Sequence, residues 1–329
     1  MRVITIDTGT TNTRVKLWQE RRLTAEAFAA VGVASTAVTG STDSLIQGVK
    51  AALTEAAAIA GVSETAIDLV LAAGMITSNL GLLELPHIAA PAGLVELAAA
   101  MRPAELPRTF SQPIWFIPGV RSQSGPLTLD NCDQADIMRG EETEVYGLLA
   151  QTGLTGPAVV ILPGSHTKFV HLDGDGRIMA SITSIAGELL AALTRHTLLA
   201  SSLSKAFAET VEPDYLLAGA AHSSRHGLSR ACFQVRLLDL FAGLTVNQRA
   251  NVLLGAVLAD DIAALANSRA IPQALNLPLV IAGGGTIATG LAILLKQAGG
   301  CVQQLDQSLL QMASGLGCLA IATQRGLID

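Results

Sequence analysis

Three short apolar runs separated by polar breaks open the chain. Val3 to Ile6 is mostly β-branched, as suits a buried strand, and Asp7 ends it. Gly9 allows a tight turn through Thr8, Thr10, Thr11 and Asn12, and Val15 to Trp18 returns as an antiparallel strand. Arg21 to Phe28 supplies a third. The period then changes: Ser44 to Ala60 is alanine-rich, with apolar residues at helical spacing. A buried strand at Leu69 to Ala73 runs into Gly74-Met75-Ile76-Thr77-Ser78-Asn79, and polar residues just past a strand's carboxyl end are where open α/β sheets bind ligands. A helix over Leu94 to Met101 is ended by Pro103 and Pro107, and a strand over Ile114 to Ile117 stops at Pro118-Gly119. Residues Gly119 to Asp133 are polar and read as a linker or mobile loop. Asp136 to Glu142 reads as the opening of a helix whose acidic first turns suit its amino terminus.

The opening pattern then returns. Val159 to Leu162 is a buried strand, Pro163-Gly164-Ser165-His166 a turn, and Thr167 to Val170 the returning strand. A third strand, Arg177 to Ile182, follows the hairpin signal Asp173-Gly174-Asp175-Gly176. Gly164 matches Gly9, Ser165 matches Thr10, and Lys168 matches Arg14 after a gap of one residue. Similarity across three strands implies two related α/β domains facing each other, each offering a phosphate-binding hairpin. The final third is mainly helical: Gly187 to Leu199, Tyr215 to His226, Val246 to Ala266, then a strand at Leu279 to Ala282, a helix to Gln297, and a closing helix over Ser308 to Arg325.

Composition narrows the functions this fold can serve. Half of the 329 residues are apolar and 15% are charged, so the chain can bury about two full cores. Aromatics are only 3%, which leaves Ala, Leu, Val and Ile to fill the interior. The net charge is −6 with no basic run, which argues against a nucleic-acid partner. Cys132, Cys232, Cys301 and Cys318 are too scattered for a zinc site or a disulfide framework, and read as buried free thiols in a reducing compartment. Leu279 to Leu295 carries no charge, but Gly283-Gly284-Gly285 breaks it into strand, turn and helix, so no membrane partner is expected. The expected location is the cytoplasm.

The first hairpin turn carries a carboxylate, threonines, an asparagine and an arginine. Such a turn can present amide and hydroxyl donors to a polyphosphate while Asp7 holds Mg²⁺ through water. An ordinary polar hairpin fits the same residues.

Three pieces in order, a DxGTTNxR hairpin, a PGSHTK hairpin and a strand running into AGGGT, resemble the superfamily of actin, sugar kinases and heat-shock chaperone ATPases. "GMITSNLGL…PAGL", "IPGV", "DIMRGEETEVYG", "LPGSHTKFV" and "AGELLAALTRHTLL" together are similar to the 2-dehydro-3-deoxygalactonokinase family, and the likeness spans nearly the whole chain. It departs at Thr8, Leu82 and Phe169, where that family commonly has tryptophan. The first two positions put the exact sugar acid in question.

The resemblance implies an α/β fold of two actin-like ATPase (ribonuclease H-like) domains around a central cleft. Residues 1–124, completed by the closing helix 306–329, would form one, and residues 125–305 the other. It also implies transfer of the ATP γ-phosphoryl group to the terminal C6 hydroxyl of 2-dehydro-3-deoxy-D-galactonate, with Mg²⁺. Another sugar acid or hexose as acceptor, or a non-catalytic sugar or nucleotide sensor, remains open, as does a homodimer. Gly9, Thr10, Thr11, Asn12, Gly164, Ser165, His166, Thr167 and Lys168 would cradle phosphate. Lys168 is alternatively a solvated strand-end lysine, and His166 a pocket wall or a satisfied buried group. Asp136 would be the general base, with helix capping as its other reading. Arg139 would pair with the substrate carboxylate or, alternatively, with Glu141, Glu142 or Glu144. Ser78, Asn79, Glu141, Glu188 and Arg195 would bind the sugar acid, and Gly283, Gly284, Gly285 and Thr286 the adenosine.

Overall fold

The computed structural model describes residues 1–122 and 125–329, and the domain boundary expected at residue 124 lies outside them. In chain order, β1 (Arg2–Thr8), β2 (Thr13–Gln19) and β3 (Arg22–Ala29) form an antiparallel meander. Helices α1 (Ala34–Thr39) and α2 (Asp43–Ile59) lead to β4 (Leu69–Gly74), which lies parallel to β1. Next come β5 (Ile88–Ala89), α3 (Leu94–Ala100), β6 (Arg102–Ala104), β7 (Ile114–Phe116), β8 (Val120–Arg121), β9 (Ile137–Met138) and α4 (Glu141–Thr152). A second meander follows, β10 (Ala158–Leu162), β11 (Thr167–Leu172) and β12 (Ile178–Ser184). Helices α5 (Ala186–His196), α6 (Leu199–Ser202), α7 (Pro213–His226), α8 (Leu228–Phe241) and α9 (Val246–Ala266) come before β13 (Leu279–Ile281), α10 (Gly285–Gln297), β14 (Val302–Gln304) and α11 (Gln307–Gln324).

One plan is used twice. The first sheet has the order β3-β2-β1-β4-β7, extended by β6, and the second has β12-β11-β10-β13-β14. In each, a meander's first strand pairs in parallel with a later strand, which pairs in parallel with another. Side chains alternate across each strand. On one face of the first sheet Ile4, Ile6, Val15 and Leu17 pack with Leu45, Val49 and Leu53 of α2. Val3 and Trp18 face the other way, into a core shared with α4, α11 and the inner face of the second sheet, Val160 and Leu162 included. Val159 and Ile161 point outward against the helices α7, α9 and α10. The molecule is therefore layered, with α4 and α11 sandwiched between the two sheets.

Glycines let those two helices touch. A Cβ on Gly147 would lie 1.7 Å from the Ala313 carbonyl oxygen, and one on Gly317 1.8 Å from that of Thr143. A small sheet, β5-β8-β9, ties together three loops that border one side of the interior cleft. Part of the polar stretch read as a linker thus forms β8, and residues 132–134 form a 3-10 turn. The helix expected from Gly187 to Leu199 breaks after His196, where Thr197 is extended. Cys232 and Cys318 are buried, but Cys132 and Cys301 are exposed, so only half of the free thiols lie where burial was expected. Among the described residues no helix is long and apolar enough to cross a membrane.

Candidate active site

Both hairpin loops are held by the helix that follows their meander. In the first, Gly9 N donates to Asn12 O at 2.8 Å, closing the turn. Val33 N and Ala34 N, at the start of α1, donate to the carbonyls of Gly9 and Thr10. In the second, Glu188 N of α5 donates to Ser165 O at 3.1 Å. Each contact is made at a glycine: a Cβ on Gly32 would be 2.5 Å from Gly9 O, and one on Gly187 2.2 Å from Gly164 O.

The loops face one crevice of about 310 Å³. Asp7, Gly9, Thr10, Thr11, Asn12 and Arg14 line it from one side, and Pro163, Gly164, His166 and Lys168 from the other. Ser165 is exposed between Gly164 and His166, whereas Thr167 is fully buried with its hydroxyl unpartnered and does not present it to the crevice. Gly283 and Gly285 adopt φ of 111° and 83° at the turn into α10, conformations that favour glycine. Gly283 backs onto Leu310, which also lines the crevice, and Gly284 backs onto Gln307. Thr286 lies within the first turn of α10.

The crevice floor is rich in carboxylates. Asp7 stands opposite Arg14 in the β1–β2 register, 3.9 Å away, with 28% of its side chain exposed. Its carboxyl is pushed above the usual range, chiefly by burial, with Arg14 and Lys16 opposing. Glu144 lines the same space and is pushed up to about 8, by burial and then by repulsion from Asp7. Recessed carboxylates in repulsion, Asp7 acting on Glu144 and Glu141 on Asp7, suit a divalent cation. Among the described residues no group of three or more His, Cys, Asp or Glu is placed to hold an ion directly.

A second space, about 500 Å³, adjoins the first. Ser78, Asn79, Glu84 and His87 come from the loop after β4, Asp136 from just before β9, and Thr183 from β12. Arg139, Glu141, His166 and Lys168 line both spaces and mark the junction. Asp136 Oδ2 accepts from Ser181 Oγ at 2.6 Å, and both carboxylate oxygens lie 2.9 Å from Thr183 Oγ1. Asp136 does not cap α4: that helix starts at Glu141 behind Gly140, and the buried Glu142 carboxylate accepts from Gly140 N. Glu142 is pushed up to about 8 by burial and by Glu141. Lys168 is not solvated. Its side chain is 5% exposed, and Nζ donates to Ile137 O at 2.7 Å and to Thr183 Oγ1 at 2.5 Å. Asp136 and Glu141 lie 3.9 and 3.8 Å from the same Nζ.

Arg139 is engaged within the protein. Nη1 donates to Thr77 O and Oγ1, and Nη2 donates to Leu85 O and approaches His87 Nδ1. The guanidinium thus latches the 77–87 loop to the segment before α4 while still lining both spaces. Glu141 accepts from Arg139 N. Burial and the cationic charge of Arg139 lower His87 to about 4, so it is neutral and accepts that contact. Glu188 lines neither space but meets His166, a residue of the junction, at 3.2 Å. Arg195, expected at the sugar acid, instead sits at the far end of α5 over the Phe207 ring and lines neither space, seven residues of helix beyond the Glu188 contact to the hairpin. Ser181, Thr183, His87 and Glu144 were not anticipated. The polar alternation of Ser181 and Thr183 on a strand beside an acid is the signal that marks the first two.

The sequence profile of the family described as 2-keto-3-deoxy-galactonokinase matches residues 7–317. A 2-dehydro-3-deoxygalactonokinase of Escherichia coli (strain K12) is 27% identical over 70% of this chain and 71% of its own. The crystal structure of a Sinorhizobium meliloti protein assigned as a 2-dehydro-3-deoxygalactonokinase superposes with a TM-score of 0.75 at 25% identity, covering 97% of this chain and 98% of that one. The activator of 2-hydroxyisocaproyl-CoA dehydratase from Clostridium difficile, solved with bound ADPNP, shares the fold alone, at a TM-score of 0.50 and 13% identity over 99% and 97% of the two chains.

Proposed function

Because the chain belongs to the 2-keto-3-deoxy-galactonokinase family, whose reaction is ATP-dependent phosphorylation of the sugar acid, we propose how its own residues divide that work. The two hairpin loops grip the ATP phosphates from opposite sides, through the backbone of Gly9 to Asn12 and of Gly164 to His166. Asp7 would hold Mg²⁺ through water, and the ion would supply charge neutralisation to the polyphosphate. The glycine turn before α10 borders the adenosine. The sugar acid fills the adjoining space beside Ser78, Asn79 and Glu141, with its terminal C6 hydroxyl toward Asp136. Asp136 takes the hydroxyl proton as that oxygen attacks the γ-phosphorus, the bond to the β-phosphate oxygen breaks, and ADP leaves. Lys168 offers positive charge where phosphate and acceptor meet.

Residues 1–124 with 306–329, and residues 125–305, are the two lobes that close on the substrates, excluding water. The position of α11 against β1, β4 and α3 supports grouping it with the first lobe, and its packing on α4 joins that lobe to the second.

One observation carries the reading: the same four residues, Arg139, Glu141, His166 and Lys168, wall both the phosphate crevice and the space that contains Asp136. An ADP-release assay on 2-dehydro-3-deoxy-galactonate and its gluco epimer tests it with Asp136→Asn. Loss of transfer with ATP binding retained is expected. Normal turnover of the variant would remove Asp136 from the mechanism, and turnover of a neutral hexose but of no keto-deoxy acid would overturn the acceptor.

A further inference from the structure

Lys168 and Thr183 are direct partners across the β11–β12 ladder, and Ser181, two residues along β12, projects from the same face. This register brings an ammonium, two hydroxyls and a carboxylate into one hydrogen-bonded chain that runs from the buried Lys168 and Ser181 to the exposed Thr183. The direction of its hydrogen bonds follows from proton inventory. An ammonium has donors only, so Thr183 Oγ1, 2.5 Å from Lys168 Nζ, must accept there. A hydroxyl has one proton, and among the described residues the other hydrogen-bond partners of Thr183 Oγ1 are the two carboxylate oxygens of Asp136, each at 2.9 Å. That proton therefore points at Asp136. Ser181 Oγ donates to Oδ2 at 2.6 Å, and Ser181 is itself fixed by its backbone N–H, which donates to Ser122 Oγ at 2.8 Å. Oδ2 is thus the more heavily occupied oxygen, and Oδ1 keeps a lone pair for an incoming hydroxyl.

We propose that Thr183 is a positioning residue for phosphoryl transfer: it links Lys168 to Asp136 and turns the carboxylate so that Oδ1 faces the acceptor hydroxyl. The inference rests on the reading of Asp136 as general base, and it adds which oxygen acts and what aims it. Lys168 uses two of its three protons on Ile137 O and Thr183 Oγ1, which leaves the third for the junction between the two spaces. Thr183 so couples the group that meets the phosphoryl to the group that takes the proton. A misaimed base costs turnover more than binding, because orientation matters at the transition state.

The test compares Thr183→Val, Thr183→Ser and Asp136→Asn in the full-length protein, with kcat and KM for ATP and for 2-dehydro-3-deoxy-galactonate, and thermal melting of each. Thr183→Val is expected to lower kcat about thirtyfold, with KM for ATP within about twofold and an unchanged melting temperature. Thr183→Ser, which keeps the hydroxyl, is expected to restore kcat to within about threefold of wild type. A Thr183→Val enzyme with wild-type kcat would overturn the proposal, as would a Ser variant as impaired as Val. If Val fails to fold, the Ser variant together with Thr183→Ala decides: equal kcat in these two contradicts the role, and Ser well above Ala supports it. An inactive Asp136→Asn beside an unimpaired Thr183→Val would sink this inference alone, whereas an active Asp136→Asn would sink the base assignment beneath it.

Discussion

The two hairpins share a backbone plan and differ in where they keep their charge. In β1–β2, Asp7 pairs with Arg14, and the guanidinium is more than half exposed. In β10–β11 the corresponding pair is Leu162 and Lys168, and the ammonium is buried. Replacing the carboxylate by leucine removes the local counter-ion and drives the lysine to find others, in Thr183, Asp136 and Glu141. A duplicated fold has thus been given two tasks. In the reading proposed above, the first hairpin manages a metal and phosphates at its mouth, and the second carries the buried Lys168 cation inward to Asp136 and Glu141.

The comparison can be broken most severely at those cations. Lys168→Met is expected to cut kcat by about a thousandfold, because Asp136 and Glu141 lose their shared cation, while Arg14→Met costs about tenfold or less. Steady-state kinetics giving equal losses would erase the distinction. Next in size is Asp7→Asn, expected to lower kcat about a hundredfold at fixed Mg²⁺ and to move half-activation to higher Mg²⁺. An unchanged Mg²⁺ titration would contradict the metal role of the first hairpin.

Gly32→Ala and Gly187→Ala sharpen the shared half of the comparison, since both place a methyl against a loop carbonyl at 2.5 and 2.2 Å. Each should raise KM for ATP about tenfold by shifting its own loop, as isothermal titration with an ATP analogue would also register. An effect of only one would mean that a single loop holds the nucleotide.

The smallest effect concerns stability. Glu142 binds its proton more tightly in the folded state, at about 8, than at its ordinary 4.5. Its favourable contribution is full below about 4.5 and is lost as pH rises through about 8. The melting temperature of ligand-free protein should therefore fall between those values, and Glu142→Gln should recover a few degrees at pH 8.5 but almost nothing at pH 5. A substitution that shifts melting equally at both pH values would contradict the buried-carboxylate account.

The duplicated meander was legible because alternation, glycine turns and strand length are local properties, and Val3 to Phe28 and Val159 to Ile182 carry them openly. The short edge strand β14 was not, since Val302, Gln303 and Gln304 gain their pairing only from β13. Gly9 and Gly164 could be matched by spacing, yet the glycines that seat the loops, Gly32 and Gly187, are defined by contacts that no local pattern encodes. Arg139 shows the limit clearly. Its charge suggested a substrate anchor, and the contacts that hold it, to the carbonyls of Thr77 and Leu85 more than fifty residues away, could not be read from any local pattern. Arg195 failed for the opposite reason: helical spacing from Gly187 already carried it to the wrong end of α5.

The central claim is that both hairpins hold one polyphosphate, with Asp136 across the junction. A crystal structure with Mg²⁺, a non-hydrolysable ATP analogue and the sugar acid tests it most directly. The account predicts terminal phosphate oxygens within hydrogen-bond distance of both the Gly9–Asn12 and the Gly164–His166 backbone, and the acceptor hydroxyl on Asp136 Oδ1. A polyphosphate bound to one hairpin alone, with the other facing empty solvent, would contradict it.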